Sequence, residues 1–280
     1  MIWDDGSRIA HDAPGPLGWI RLLWRGGAMG LLVFGGLGVL LVVRTIERPL
    51  CGVRRPVTPS ITVFVCRSAL RILGLHYVRS GDPLRAGGAV VANHASWLDI
   101  FVLNAGKRIY FVSKSEVAGW PGIGWLARAT GTVFIERTRT RAREQTSLIE
   151  ERLLAGHRLL FFPEGTSTDG LRILPFKTTL FASFFSQNLR RRAVVQPVTV
   201  RYHAPVGADP RFYGWWGEMT FGGHLLRMLS APRHGRVEVI YHRPLAAADF
   251  DSRKTLARAC EAAIRSGYDR PAPGDAPGQG

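Results

Sequence analysis

Acidic residues are scarce in this chain. Its 280 residues hold 21 Asp and Glu against 37 Lys and Arg, giving a formal net charge of +16 and a pI of about 11.0. That balance implies an acidic partner: nucleic acid, anionic lipid or an acidic protein. Cysteine is also scarce. Cys51, Cys66 and Cys260 are too scattered for a disulfide framework or a zinc knuckle, which favours a reducing compartment. His157, His203, His224, His234 and His242 show no close metal-ligand spacing, so no metal is expected. No G-x-S-x-G elbow is present, which excludes the usual exposed serine nucleophile. The opening MIWDD is acidic, and no small-residue cleavage site follows the first apolar run. A retained anchor is therefore expected rather than a signal peptide.

Hydrophobic residues, by contrast, make up 46% of the chain, with a mean hydropathy of +0.03, greasy for a soluble enzyme. The run GGAMGLLVFGGLGVLLVV between Arg25 and Arg44 is uncharged. As a helix it reaches about 27 Å, just short of a hydrocarbon core. It reads as a transmembrane or deeply seated monotopic helix. Arg21 and Arg25 before it and Arg44 and Arg48 after it give no clear orientation. Residues 61–73 are amphipathic, with Arg67 and Arg71 one turn apart, as suits an interfacial helix on anionic headgroups.

These features divide the chain into a polar tail (1–17), membrane-anchor and interfacial helices (18–80), a main domain (81–245), and a C-terminal helix with a disordered tail (246–280). In the main domain, strand-like runs at Ala89–Ala92, Ile109–Val112, Gly131–Ile135, Leu159–Phe162, Val194–Val200 and Val237–Tyr241 alternate with helix-like segments. The helices are expected at Leu98–Ala105, Thr140–Ala155 and Lys177–Leu189, with another at Ser252–Ser266. This alternation predicts an α/β fold: one domain with a central mixed sheet flanked by helices, preceded by the helical module.

The most informative stretch is Val90-Val91-Ala92-Asn93-His94-Ala95-Ser96-Trp97-Leu98-Asp99. Five residues on a regular helix correspond to about 500° of rotation, leaving the two side chains roughly 140° apart. His94 and Asp99 meet only if the chain turns between them. His94 is then in the loop after a strand, Asp99 in the first helical turn, and Ser96 at the N-cap. A histidine oriented by a carboxylate takes a proton from a hydroxyl. The same residues also fit a capping box, in which Asp99 only satisfies a backbone N–H. Both readings stand at this point.

Three further blocks end in polar turns. Arg158–Thr166 runs into Pro163-Glu164-Gly165, Gly131–Arg137 ends in Glu136 and Arg137, and Val195–Val200 carries Pro197. In the first, Glu164 offers a carboxylate and Gly165 lets a ligand approach the backbone. In the second, Arg137 is a fork for phosphate or carboxylate.

In this order, NHASWLD, GTVFIER, FFPEGTS and VQPVTV resemble the four blocks of the lysophospholipid acyltransferase family, which includes the 1-acylglycerol-3-phosphate acyltransferases. The resemblance covers about residues 85–205. It implies transfer of a fatty acyl group from a thioester to a hydroxyl of a lyso-lipid at a membrane. By position, His94 is the general base and Asp99 its orienter. Asn93, Ser96, Glu164, Gly165 and Thr166 belong to the substrate site, with Arg137 on an anionic head and Lys114 after the second strand. The lipid hydroxyl is itself the nucleophile, so no protein nucleophile and no cofactor is implied.

The phosphatidate-forming members usually carry FPEGTR, whereas here Ser167 replaces the arginine. Together with LPFK and FYGWWGEMTFGGHL, this is similar to the bacterial branch that acylates lyso-ornithine lipid. The partners implied are a lyso-lipid acceptor, acyl carrier protein or acyl-CoA as donor, and an anionic membrane surface. The place implied is the cytoplasmic side of a bacterial inner membrane. Phe212–Trp216 suits either an interfacial aromatic belt or a capped core. A nucleic-acid-binding protein, a non-catalytic membrane adaptor and a lipid hydrolase are the alternatives. Basic residues that flank apolar runs speak against the first.

Overall fold

Apolar continuity decides the centre of the sheet. The computed structural model describes residues 3–7, 9, 13–136 and 142–269. In chain order its elements are α1 (Pro16–Cys51), α2 (Thr58–Leu73), β1 (His76–Ser80), β2 (Gly88–Ala92), α3 (Asp99–Gly106), β3 (Tyr110–Lys114), α4 (Ile123–Thr130), β4 (Val133–Ile135), α5 (Ala142–Leu154), β5 (Arg158–Phe161), β6 (Val194–His203), α6 (Phe221–Ser230), β7 (Arg236–Tyr241), β8 (Leu245–Ala246) and α7 (Arg253–Tyr268). The strand order is β1-β7-β6-β2-β5-β3-β4, and β8 pairs with β6. Every residue of β2 is buried, as a strand covered on both faces requires.

The sheet is mixed. β2 runs parallel to β5 and β6, and β3 runs parallel to β5 and β4. β7 is antiparallel to β6 and parallel to β1. Alternation along β2 splits the core in two. Val90 and Ala92 join Leu70, Leu103, Val200 and Met228 on one face. Ala89 and Val91 join Ile149, Phe181, Phe184 and Leu256 on the other.

α1 is about 54 Å long, and it is the one described helix long and apolar enough to cross a membrane by length and composition. Most of its charges turn inward. Arg21 donates to the Ser230 carbonyl, and Arg25 to those of Leu229 and Ala231, at the end of α6. Arg44 donates to Glu47 and to the Gly52 carbonyl. Glu47 is buried and accepts from Val57, Thr58 and the Thr58 hydroxyl at the start of α2. The outer flank presents Leu23, Trp24, Leu31, Phe34, Val42 and Leu50.

Two expectations are corrected. The segment Lys177–Leu189 is not an α-helix; a 3-10 turn spans Leu180–Phe185. Phe181 and Phe184, three apart, both bury against Phe161, and a three-residue period stacks them on one side. The helical module expected as far as residue 80 ends in a strand, β1, at the sheet edge. Arg67, exposed on α2, donates its Nε–H to the Ala105 carbonyl at the end of α3. The Phe212–Trp216 segment takes the core reading, with Tyr213 and Trp216 only 1% and 2% exposed. The tryptophans that do face outward are Trp19, Trp24, Trp120 and Trp125, with Trp24 and Trp125 the most exposed at 72% and 63%. The proposed tail beyond residue 269 lies outside the described residues.

Gly36 marks a close approach of α1 to α2, where an added Cβ would meet Val65 at 2.5 Å. Gly36→Leu should destabilise the detergent-purified protein by about 1–3 kcal/mol. Gly30→Ala, where nothing lies within 4 Å, should not. Thermal unfolding of the two variants checks this, and equal melting points would contradict the packing.

Candidate active site

The register of β2 and β5 builds the site. Val91 pairs with Phe161, and three residues further along each strand stand His94 and Glu164. Both sit beyond the carboxyl ends of parallel strands, where open α/β sheets form their crevices.

The turn required between His94 and Asp99 is present. His94 Nδ1 lies 2.7 Å from Asp99 Oδ2. The same oxygen accepts from the backbone N–H groups of Ala95 at 2.9 Å and Ser96 at 3.1 Å. The dyad and the capping interaction are thus one arrangement. Asp99 sits in the first turn of α3 and is fully buried, while the His94 side chain keeps 19% of its surface exposed. A carboxylate only accepts, so Nδ1 carries the proton toward Asp99 and Nε2 holds the free lone pair. The His94 ring stacks on Phe162 at 4.0 Å between centroids, which fixes its plane.

Asn93 is a clasp. Its side chain donates to the Val200 carbonyl and accepts from the Val200 N–H, each at 2.8 Å, tying the loop to β6. Ser96 is buried and is not the N-cap expected from sequence. Leu98 takes that place, and Ser96 meets Asp99 through its backbone.

Glu164 accepts from the His94 N–H and the Leu174 N–H, both at 2.7 Å. Burial pushes its carboxyl up to about 8, against the lowering effect of those two N–H groups. Gly165 has φ +78°, and its N–H closes a turn onto the Phe162 carbonyl. Glycine suits this left-handed backbone. Thr166, on the same turn, is half-buried and directs its hydroxyl to the Ser167 carbonyl. Lys114 closes β3, one strand beyond β5. Arg137 lies outside the described residues. Among the described residues, no group of three His, Cys, Asp or Glu is placed to hold a metal ion.

Sequence reasoning missed Tyr202. Its hydroxyl donates to Asp99 Oδ1 at 2.7 Å from the far end of β6. Burial, with the Asp99 charge beside it, raises its pKa well above the usual phenol value, so it remains a donor. The available signal was period: Val198, Val200 and Tyr202 share one face of β6. Also missed were Thr168 and Trp215, whose N–H groups bond the carbonyls of His94 and Ala95.

Residues 70–201 match the family model described as Acyltransferase. The chain is 61% identical to lyso-ornithine lipid O-acyltransferase from Rhodobacter capsulatus, over 95% of this chain and 96% of the relative. The chain belongs to the acyltransferase family. Another relative at 34% identity, from Pseudomonas aeruginosa, carries the same name and is matched over 93% of its length, covering 88% of this chain. A 1-acyl-sn-glycerol-3-phosphate acyltransferase of Neisseria meningitidis is 38% identical over 48% of this chain and 52% of its own. The fold matches the crystal structure of a 1-acyl-sn-glycerophosphate acyltransferase from Thermotoga maritima, with TM-score 0.62 and 21% identity, covering 90% of this chain and 95% of that one. The enzyme is an acyltransferase with the mixed α/β fold expected from its sequence.

Two measurements follow. Tyr202→Phe should lower acyl transfer about tenfold through loss of a charge-assisted hydrogen bond. Its melting temperature should fall as well, because a buried Asp99 oxygen loses its donor, and unchanged turnover would remove Tyr202 from the site. Because the Glu164 pKa is raised on folding, its contribution to stability is complete below the unfolded carboxyl value. It is lost as pH rises through about 8. Denaturant unfolding between these limits should show stability falling with pH in wild type, and a flatter dependence in Glu164→Gln.

Proposed function

We propose that this acyltransferase moves a fatty acyl group from a thioester donor to the hydroxyl of a lyso-ornithine lipid or a related amino-acid lyso-lipid. The observation that carries the reading is the 61% identity with lyso-ornithine lipid O-acyltransferase along nearly the whole of both chains. Ser167 supports it. It stands where phosphatidate-forming members carry arginine, and its hydroxyl is directed to the Trp215 carbonyl.

In this reading His94 Nε2 takes the proton of the acceptor hydroxyl as that oxygen attacks the thioester carbonyl. The new C–O bond forms, the C–S bond breaks, and the proton passes from His94 to the departing sulfur. Asp99 steadies the imidazolium between the two transfers. No protein nucleophile, acyl-enzyme, metal or further cofactor enters the scheme. Asn93, Ser96 and Glu164 hold the His94 turn in shape. Gly165 and Thr166 border the acceptor, Arg137 takes its anionic group, and Lys114 adds positive charge at the same strand ends.

The donor is acyl carrier protein or CoA in thioester form. Both are anionic and suit a chain of net charge +16. The apolar outer flank of α1 supports attachment to a membrane, and we place the enzyme on the cytoplasmic side of a bacterial inner membrane. The unit boundaries, with anchor helices α1 and α2 up to Leu73 and a catalytic unit that begins with β1 and extends to about residue 245, belong to this same proposal.

The test is an acceptor panel with purified enzyme in detergent. Lyso-ornithine lipid and lysophosphatidate are each offered with acyl carrier protein and CoA donors, beside His94→Ala. Transfer to lyso-ornithine lipid that is lost in His94→Ala, with membrane attachment kept, is the expected result. Turnover preserved in His94→Ala would overturn the mechanism, and exclusive use of lysophosphatidate would overturn the acceptor.

A further inference from the structure

The acidic residues of the first few positions are an exception in a basic chain, and the structure gives them a place. Residues 3–7 lie across two loops that border His94. One follows β5 and carries Thr166, Ser167 and Arg172. The other follows β6 and carries Arg211 and Gly217.

Trp3 joins the two loops through its own backbone. Its N–H donates to the Thr166 hydroxyl at 3.4 Å, and its carbonyl accepts from the Gly217 N–H at 3.1 Å. Its indole lies under the Arg172 guanidinium, 4.8 Å from the ring centre. Arg172 is held on the other side by Asp169 at 2.8 Å and reaches Asp5 at 3.7 Å. Ser7 accepts from Arg211 at 2.9 Å, while Arg211 is also paired with Asp209 at 2.7 Å. Gly217 has φ +59°, and a Cβ there would sit 2.6 Å from the Asp4 carboxylate, so the loop is shaped to admit the segment.

These loops are not remote from the chemistry. Thr168 N–H bonds the His94 carbonyl and Trp215 N–H bonds the Ala95 carbonyl. Ser167 joins the loops to each other through the Trp215 carbonyl. Whatever fixes the two loops therefore fixes the turn that carries the general base. The Thr166 hydroxyl, accepting from Trp3 and donating to Ser167, is set in one orientation by the segment.

We infer that Trp3–Ser7 is a positioning strap, which fastens the loop after β5 to the loop after β6 and sets how the acceptor lipid is held beside His94. The inference rests on the reading above that Gly165 and Thr166 border the acceptor. Trp3 and Asp5 touch neither substrate nor the dyad; they act through Thr166 and Arg172. The side chains of Trp3 and Asp5 contribute contacts of weak classes, a cation–π contact and a surface ion pair, and the strap works because both converge on Arg172. Only eight residues separate Ser7 from Pro16, so the strap is tethered to the first turn of α1.

The experiment uses the full chain in detergent micelles, with lyso-ornithine lipid as varied acceptor and acyl-loaded acyl carrier protein as donor. Trp3→Ala, Trp3→Phe and His94→Ala are measured beside wild type. Trp3→Ala should raise the acceptor KM about tenfold, with kcat, the donor KM and the melting temperature little changed. Trp3→Phe keeps a ring under Arg172 and should recover most of the loss. An unchanged acceptor KM in Trp3→Ala would overturn the strap. So would a faster enzyme, which would make the segment an obstruction, or a uniform loss that tracks a lowered melting temperature. Full turnover in His94→Ala would instead strike the catalytic reading, and the two failures are distinguished by which variant shows them.

Discussion

A single buried carboxylate organises this protein. Asp99 receives the His94 ring and two backbone N–H groups on one oxygen and the Tyr202 hydroxyl on the other. A buried carboxylate without such partners would be costly. Here the donors come from its own turn and from β6, and with the Asn93 clasp they fix loop, helix and sheet relative to one another. The requirement to satisfy Asp99 and the requirement to aim His94 are met by the same atoms. Few other conformations of the turn would meet both.

The same economy extends outward. Glu164 supports the His94 N–H with one oxygen and the Leu174 N–H with the other, so the two polar turns after β2 and β5 brace each other. The next layer is backbone to backbone, from Thr168 and Trp215. Conserving backbone bonds in this way leaves one edge of the imidazole as the exposed part of an otherwise closed network. The stacking of His94 on Phe162 gives that edge an apolar neighbour, which suits a reacting group presented on a greasy chain.

Much of this was legible in sequence, for identifiable reasons. The five-residue spacing of His94 and Asp99 forces a turn, and short apolar runs ending in polar residues read as buried strands. The fold class followed from their alternation. What escaped was non-local. Tyr202 lies 103 positions from Asp99, and nothing near either residue announces the pairing. The segment Leu180–Phe185 looks helical by composition, but its two buried phenylalanines impose a three-residue period. β1 is a half-exposed edge strand that follows an amphipathic helix, so its alternation is faint. The left-handed turn at Gly165 is visible only in its dihedral, because glycine in a sequence permits close approach and left-handed backbone alike.

The docking of α1 has one more consequence. Its first turns are bolted to the end of α6 by arginines, its middle is pressed against α2 at Gly36, and its end is stitched to the start of α2 through Glu47. A helix held at three stations cannot stand away from its domain like a stalk. Any bilayer that takes up its outer flank takes the domain with it. The distance from the outer flank of α1 to the His94–Asp99 pair is then a fixed property of the fold, set by side chains far from that pair.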